Sequence, residues 1–128
     1  MYEKKLEKSH QCPLEYVFEV FGGKWNSKIF CLIVKEGPIR YTDFRGRLAD
    51  ISDPVLSSTL KHLVKNGIIE RKHYDEMPMR VEYSITEKGR SAIPLLEALC
   101  KWSSIHNPNP GNKILAQCND CEIWRWSF

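Results

Sequence analysis

Apolar residues recur at helical spacing over most of the chain and switch to strand-like alternation in one stretch past its middle. Leu14, Val17, Phe18 and Phe21 fall at i, i+3, i+4 and i+7 behind Pro13, which suits a first turn, so the pattern predicts an amphipathic helix over residues 13–21. Gly22-Gly23 ends it. Residues 25–34 are apolar on most sides (Trp25, Ile29, Phe30, Cys31, Leu32, Ile33, Val34), as a helix at the centre of a small bundle should be, and Gly37-Pro38 stops them. A very short strand is expected over residues 39–41. Thr42 is expected to cap a helix that turns Phe44 and Leu48 inward, with Asp43 in its first turn. Ser52 is expected to cap the next helix, residues 53–66, with Gly67 closing it at C′. Residues 68–74 and 80–85 read as two strands around Asp75-Glu76-Met77-Pro78-Met79, a polar, proline-containing turn, and so predict a hairpin. Thr86 is expected to cap one last long helix carrying Ile93, Leu95, Leu96, Leu99 and Trp102, with a kink where Pro94 removes a backbone hydrogen bond.

The order is helix, helix, short strand, helix, helix, hairpin, helix. Two consecutive helices joined by a tight turn and followed by a two-stranded wing make a winged helix-turn-helix, so the expected fold is mainly α (α+β) with helices at both ends. On a wheel of about 100° per residue, Val55, Leu56, Leu60 and Leu63 gather on one side of the helix before the hairpin. Pro54, Ser57, Ser58, Lys61 and Lys65 gather opposite, with His62 at their edge. That outer face is short and polar first, then basic. A helix that reads the major groove presents its N-terminal residues to the bases, where serine hydroxyls and a lysine can bond base edges or phosphates. The same polar face also suits any solvated surface helix. The hairpin behind it adds weight to the first reading, with Lys72, His73 and Arg80 where a wing meets the DNA backbone or minor groove.

Charge changes the picture little. The net charge is +3, and residues 40–80 carry eight Lys and Arg against six Asp and Glu, so topology rather than basicity carries the inference. Apolar residues at 42% and charged residues at 27% are ordinary for a soluble globular chain of 128 residues, which has room for one core. No apolar run reaches the roughly 18 residues of a membrane span. The opening MYEKKLEKSHQ has no apolar stretch or small-residue cleavage site, so a cytoplasmic protein is expected. Glycine-rich phosphate loops, Ser/His/Asp constellations and His-Glu-x-x-His are not evident, so no enzymatic activity and no cofactor are expected. His62 and His73 read as surface or DNA-facing residues.

Cysteines stand at 12, 31, 100, 118 and 121, an odd number with no disulfide framework in their spacing, and read as reduced thiols. Cys31 and Cys100 lie in apolar helical runs and read as core. Cys12, just ahead of a helix N-terminus that favours thiolate, is either a redox or electrophile sensor or a small packed residue. Cys118 and Cys121 form a lone Cys-x-x-Cys. Zinc needs four ligands and only His106 is near, so no metal site is assigned; a redox pair, a site shared across a dimer and two incidental cysteines stay open. Trp124, Trp126 and Phe128 give the same tail an apolar edge, for packing or for lining an effector pocket.

Four motifs then bear on family. Cys12-Pro13-Leu14-Glu15, Gly22-Gly23-Lys24-Trp25, the frame Ile51-Ser52, Leu56, Leu60, Leu63, Gly67-Ile68, and Arg80-Val81-Glu82-Tyr83-Ser84-Ile85-Thr86 with Gly89 occur in that order. Together they resemble the HxlR family of bacterial regulators, relatives of the MarR-type winged helices, from about Cys12 to about His106. The resemblance implies a homodimer held by the first and last helices, through Leu14 and Phe18 and through Leu95, Leu99 and Trp102, that binds double-stranded DNA at palindromic operators. It implies DNA contacts at Ser57, Ser58 and Lys61 and at Arg80 on the wing, to which the outer face of the wheel adds Lys65, and a sensing role for Cys12 toward an oxidant or small-molecule effector. Leu95, Leu99 and Trp102 also form a stripe too apolar for one small core to cover easily. Two departures stand out: position 54, often basic or polar in such proteins, is proline, and the tail after Asn107 has no counterpart. The expected organisation is an N-terminal arm (1–11), a winged-helix domain (12–106) and a C-terminal tail (107–128). A winged helix for protein or RNA contact, and a thiol-redox protein using Cys118 and Cys121, are the alternatives.

Overall fold

The computed structural model describes residues 12–107. The expected Cys-x-x-Cys and the aromatic edge of the tail lie outside those residues. The elements run α1 (Pro13–Phe21), α2 (Asn26–Glu36), β1 (Ile39–Arg40), α3 (Tyr41–Arg47), α4 (Asp53–Lys65), β2 (Ile69–Tyr74), β3 (Arg80–Ile85), α5 (Glu87–Ser91) and α6 (Ile93–His106). The helix-turn-helix is α3 and α4, and the wing is β2 with β3.

The wing is part of a larger sheet. β1 pairs antiparallel with β3, Ile39 opposite Tyr83 and Arg40 opposite Glu82, giving the order β1-β3-β2. Two residues cannot announce a partner in sequence, yet they tie the entrance of α3 to the wing. The core lies under this sheet and between α2 and α4: Ile29, Phe30, Leu32 and Ile33 meet Leu56, Leu60 and Leu63, with Phe44 edge-on to Tyr83 at 6.0 Å between centroids.

The caps explain where helices stop. Ser52 Oγ accepts the Val55 amide at 3.3 Å, as the serine ahead of Pro54 implies. At the far end of α4, Gly67 (φ +75°) is in the left-handed region. Its amide bonds the Val64 carbonyl at 3.0 Å and that of Ile68 bonds Leu63 at 3.0 Å, a Schellman closure. Thr86 Oγ1 accepts the Gly89 amide at 3.0 Å and reaches the Gly67 carbonyl at 2.5 Å, so one hydroxyl caps α5 and pins the end of α4. A Cβ on Gly89 would stand 2.2 Å from the Ile68 carbonyl oxygen, so only glycine lets α5 lie this close to the strand.

Several expectations need correction. The last long helix kinked at Pro94 is two helices that meet at Ala92, and Pro94 sits in the first turn of α6, where its missing amide costs nothing. Thr42 does not cap α3: the helix begins at Tyr41 behind extended Arg40, because pairing of β1 with β3 holds the backbone up to that point. α2 starts at Asn26, with Trp25 as its N-cap residue between the ammonium groups of Lys24 and Lys28 at 5.2 and 4.6 Å, and runs on to Glu36. Cys31 and Cys100 pack half-buried against the core rather than within it.

Candidate nucleic-acid interface

The buried stripe of α4 (Leu56, Thr59, Leu60, Leu63) fixes the direction of its other face. Ser58, Lys61 and Lys65 are exposed there, and Ser57 is half-buried. Val55 sits at the margin, 37% exposed, rather than within the buried stripe. Ser58 Oγ donates to the Val55 carbonyl at 3.3 Å, which leaves its lone pairs to accept from outside. Asp53, in the first turn of α4, pairs with Arg45 of α3 and joins the two helices of the motif on the surface.

Ser57 and Lys61 line one side of an open groove of about 590 Å³ whose other side is the wing. Arg40, Arg71 and Arg80 join them, with Tyr41 and Tyr83 also in the lining. Four cations therefore face one concavity, although the whole stretch has an excess of only two. Arg40 and Arg71 were not singled out from sequence. Arg71 carries the signal of alternation within a basic strand, but Arg40 becomes a groove residue only because β1 joins the sheet.

Arg80 differs from the other three. Its guanidinium lies 2.8 Å from Glu76 and 2.9 Å from Glu82 and stacks 3.7 Å from the Tyr74 ring centroid, with its side chain 25% exposed. Its charge is already balanced within the wing. Arg71 is exposed, and no ion pair to it is found among the described residues.

His62 corrects the sequence reading. It is half-buried, and its Nε2 stands 3.2 Å from the Val20 carbonyl oxygen of α1, turned from the groove toward the helix beneath. His73 is exposed and touches Met79 Sδ across the wing.

The remaining expected residues gather elsewhere. Leu14 and Phe18 on α1 are 58% and 59% exposed, and Leu95, Leu99 and Trp102 on α6 are all exposed, as is Ile105, which sequence reading did not name. α6 fully buries Leu96 alone. Cys12 is exposed at the N-cap of α1, its carbonyl accepting the Glu15 amide at 2.8 Å. It is not part of the groove.

Comparison with known proteins gives a consistent answer. The model of the family described as HxlR-like helix-turn-helix matches residues 20–110. An uncharacterized HTH-type transcriptional regulator of Methanothermobacter thermautotrophicus is 41% identical over 105 residues, 80% of this chain and 79% of that one. The HTH-type regulator BH0655 of Halalkalibacterium halodurans is 36% identical over 84% of this chain and 95% of its own. Among solved structures, the redox regulator HypR in its oxidized form superposes with a TM-score of 0.68 at 33% identity, covering 77% of this chain and all of that one. The reduced form of the regulator YodB from B. subtilis gives 0.70 at 30% identity over 77% and 96%. With this fold and these relatives, the chain belongs to the HxlR-like helix-turn-helix family of transcriptional regulators.

Proposed function

We propose that the protein is a cytoplasmic homodimer that binds a palindromic operator in double-stranded DNA, each subunit laying α4 in a major groove. The observation that carries this reading is the shared groove: the outer face of α4 and the wing enclose one concavity lined by Ser57, Lys61, Arg40 and Arg71. Ser57, Ser58 and Lys61 contact base edges or neighbouring phosphates, and Lys65 follows the backbone. Arg71 and Lys72 supply the wing's phosphate contacts. Arg80 reaches DNA only by exchanging a carboxylate for a phosphate, and otherwise holds the wing in shape.

One short helix per subunit offers few base contacts, so a dimer is needed for specificity. The exposed apolar faces of α1 and α6 supply a surface for it, through Leu14, Phe18, Leu95, Leu99 and Trp102. Cys12 stands exposed beside that surface, and the similar protein HypR is described as a redox regulator. We assign Cys12 as the point at which an oxidant or electrophile acts, its adduct displacing α1 and with it the dimer.

Selection of binding sites from random duplexes at physiological salt tests the reading. An inverted repeat with half-site centres about 10 bp apart, or a multiple of that, is expected. No enriched sequence, or an unpaired half-site bound by monomer, would refute it. Alkylation of Cys12 should weaken binding to the selected duplex, and a Cys12→Ser protein equally sensitive to alkylating agent would remove the sensor.

A further inference from the structure

The groove faces DNA, but something must hold α4 at a fixed angle to the helix that is to carry the dimer. α1 is a poor candidate for apolar anchoring. Val20 is its one fully buried side chain, and Phe21 adds an edge-to-face contact with Phe30 at 5.1 Å. With so little apolar contact, the helix can pivot unless directional bonds stop it.

Two such attachments are present, both to the C-terminal end of α4, one a single hydrogen bond and the other a two-bond bridge. The C-terminal carbonyls of a helix lack intrahelical partners. In α1 the Phe18 carbonyl is taken by the Gly22 amide at 2.7 Å, and the Val20 carbonyl by His62 Nε2 at 3.2 Å. A carbonyl only accepts, so Nε2 is the donor in this bond. The second attachment is the bridge. Lys88 Nζ of α5 donates to Tyr16 Oη at 2.8 Å and to the Asn66 carbonyl at 2.8 Å. Tyr16 and Val20 lie one turn apart on α1, and His62 and Asn66 one turn apart at the end of α4. Asn66 is itself locked to that turn, both its amide and its side-chain Nδ2 donating to the His62 carbonyl at 3.1 and 2.9 Å. Two attachments a turn apart fix an angle, where one would leave a hinge.

We propose that His62 and Lys88 are positioning residues for operator recognition, which lock α4 to α1 so that the spacing and tilt of the two reading helices follow the dimer. This rests on the operator-binding reading above. Ser57 and Lys61 stand on the same continuous helix, so a tilt at its last turn displaces them from the bases without altering any group that touches DNA. Displacement of α1 then reaches the reading face through these bonds.

The test uses the full chain and the duplex enriched by selection, with affinity measured across a salt series. His62→Leu and Lys88→Met should each weaken binding about fivefold, the scale of one hydrogen bond. The slope of log K against log salt should stay at the wild-type value, since no phosphate contact is lost. His62→Gln, which keeps an N–H donor, should restore affinity to within about twofold, well inside the loss of one such bond. Tyr16→Phe combined with Lys88→Met should cost no more than Lys88→Met alone, because both break one bridge. Thermal unfolding and sedimentation on the same samples establish that each variant is folded and dimeric. Wild-type affinity in both single variants, a flattened salt slope, or a loss that tracks the unfolded fraction would each overturn the assignment. A wild-type protein that enriches no duplex would remove the operator-binding reading itself, and this inference with it.

Discussion

Removing a wing arginine should change the salt dependence of binding at one of two positions only nine residues apart and leave it unchanged at the other. Arg71 is exposed, with no ion pair among the described residues, whereas Arg80 sits between Glu76 and Glu82 at 2.8 and 2.9 Å. Neutralising a phosphate releases a condensed counterion, and log K falls with log salt by about 0.9 for each phosphate so contacted. The proposed dimer would have two wings, so Arg71→Ala should flatten the slope by about 1.8. A cation whose charge is already balanced by two carboxylates releases no such ions, so Arg80→Ala should leave the slope near the wild-type value. It should act through the wing instead. Two partly exposed ion pairs contribute about 0.2–1 kcal/mol each, and the loss of the Tyr74 stack adds to this, so Arg80→Ala should lower the thermal midpoint where Arg71→Ala does not. Fluorescence anisotropy with the selected duplex from about 50 to 200 mM salt, the range over which such slopes separate, reads both variants. An Arg80→Ala slope as flat as that of Arg71→Ala would show that phosphate displaces Glu76 or Glu82, and would refute the assignment of Arg80 to wing structure.

Lys61→Ala should cost about 1–3 kcal/mol in operator affinity and relax preference at one base position per half-site, read by repeating the selection with the variant. Trp102→Glu places a charge in the proposed interface and should yield monomers with poor operator binding; an intact dimer in sedimentation would refute the role of α6. Gly89→Ala should destabilise the fold by about 1–3 kcal/mol or more, because its Cβ meets the Ile68 carbonyl oxygen at 2.2 Å and Ile85 Cγ1 at 2.9 Å, and a urea midpoint equal to wild type would refute that packing. The hydrogen bond from Arg47 holds the Glu36 carboxyl below its ordinary range, with the charge of Arg47 and Lys35 adding to it against a desolvation cost. The folded state thus binds that proton less readily than the unfolded chain, so this pair's contribution is present above the ordinary carboxylate range and is lost as pH falls through the lowered value. The urea midpoints of wild type and Glu36→Gln should therefore differ at neutral pH and converge in acid; a gap that persists in acid would deny the linkage.

Local signals in the sequence determined the helices and the hairpin. A helix with an apolar stripe, a serine or threonine ahead of it and a glycine behind it carries its own boundaries, and Ser52, Gly67 and Thr86 act where that logic puts them. The outward face of α4 was legible for the same reason: burial of Leu56, Leu60 and Leu63 leaves Ser58, Lys61 and Lys65 no other direction. What tertiary structure decided are the features that depend on which elements meet. The pairing of β1 with β3 moved the start of α3 to Tyr41 and brought Arg40 to the groove, because the bonds that hold those two residues come from a strand some forty positions away. Pro94 reads in the sequence as a kink within one helix, whereas the close seat of α5 against Ile68 separates α5 from α6 at Ala92 and leaves the proline in a first turn. His62 lies at the edge of the polar face by wheel geometry, and only the approach of α1, with a carbonyl left open at its C-terminal turn, draws the imidazole away from the groove. Arg80 looked like a free cation on a wing because only the closed hairpin brings Glu76 of the turn to it, beside Glu82, which shares its face two residues on along the strand.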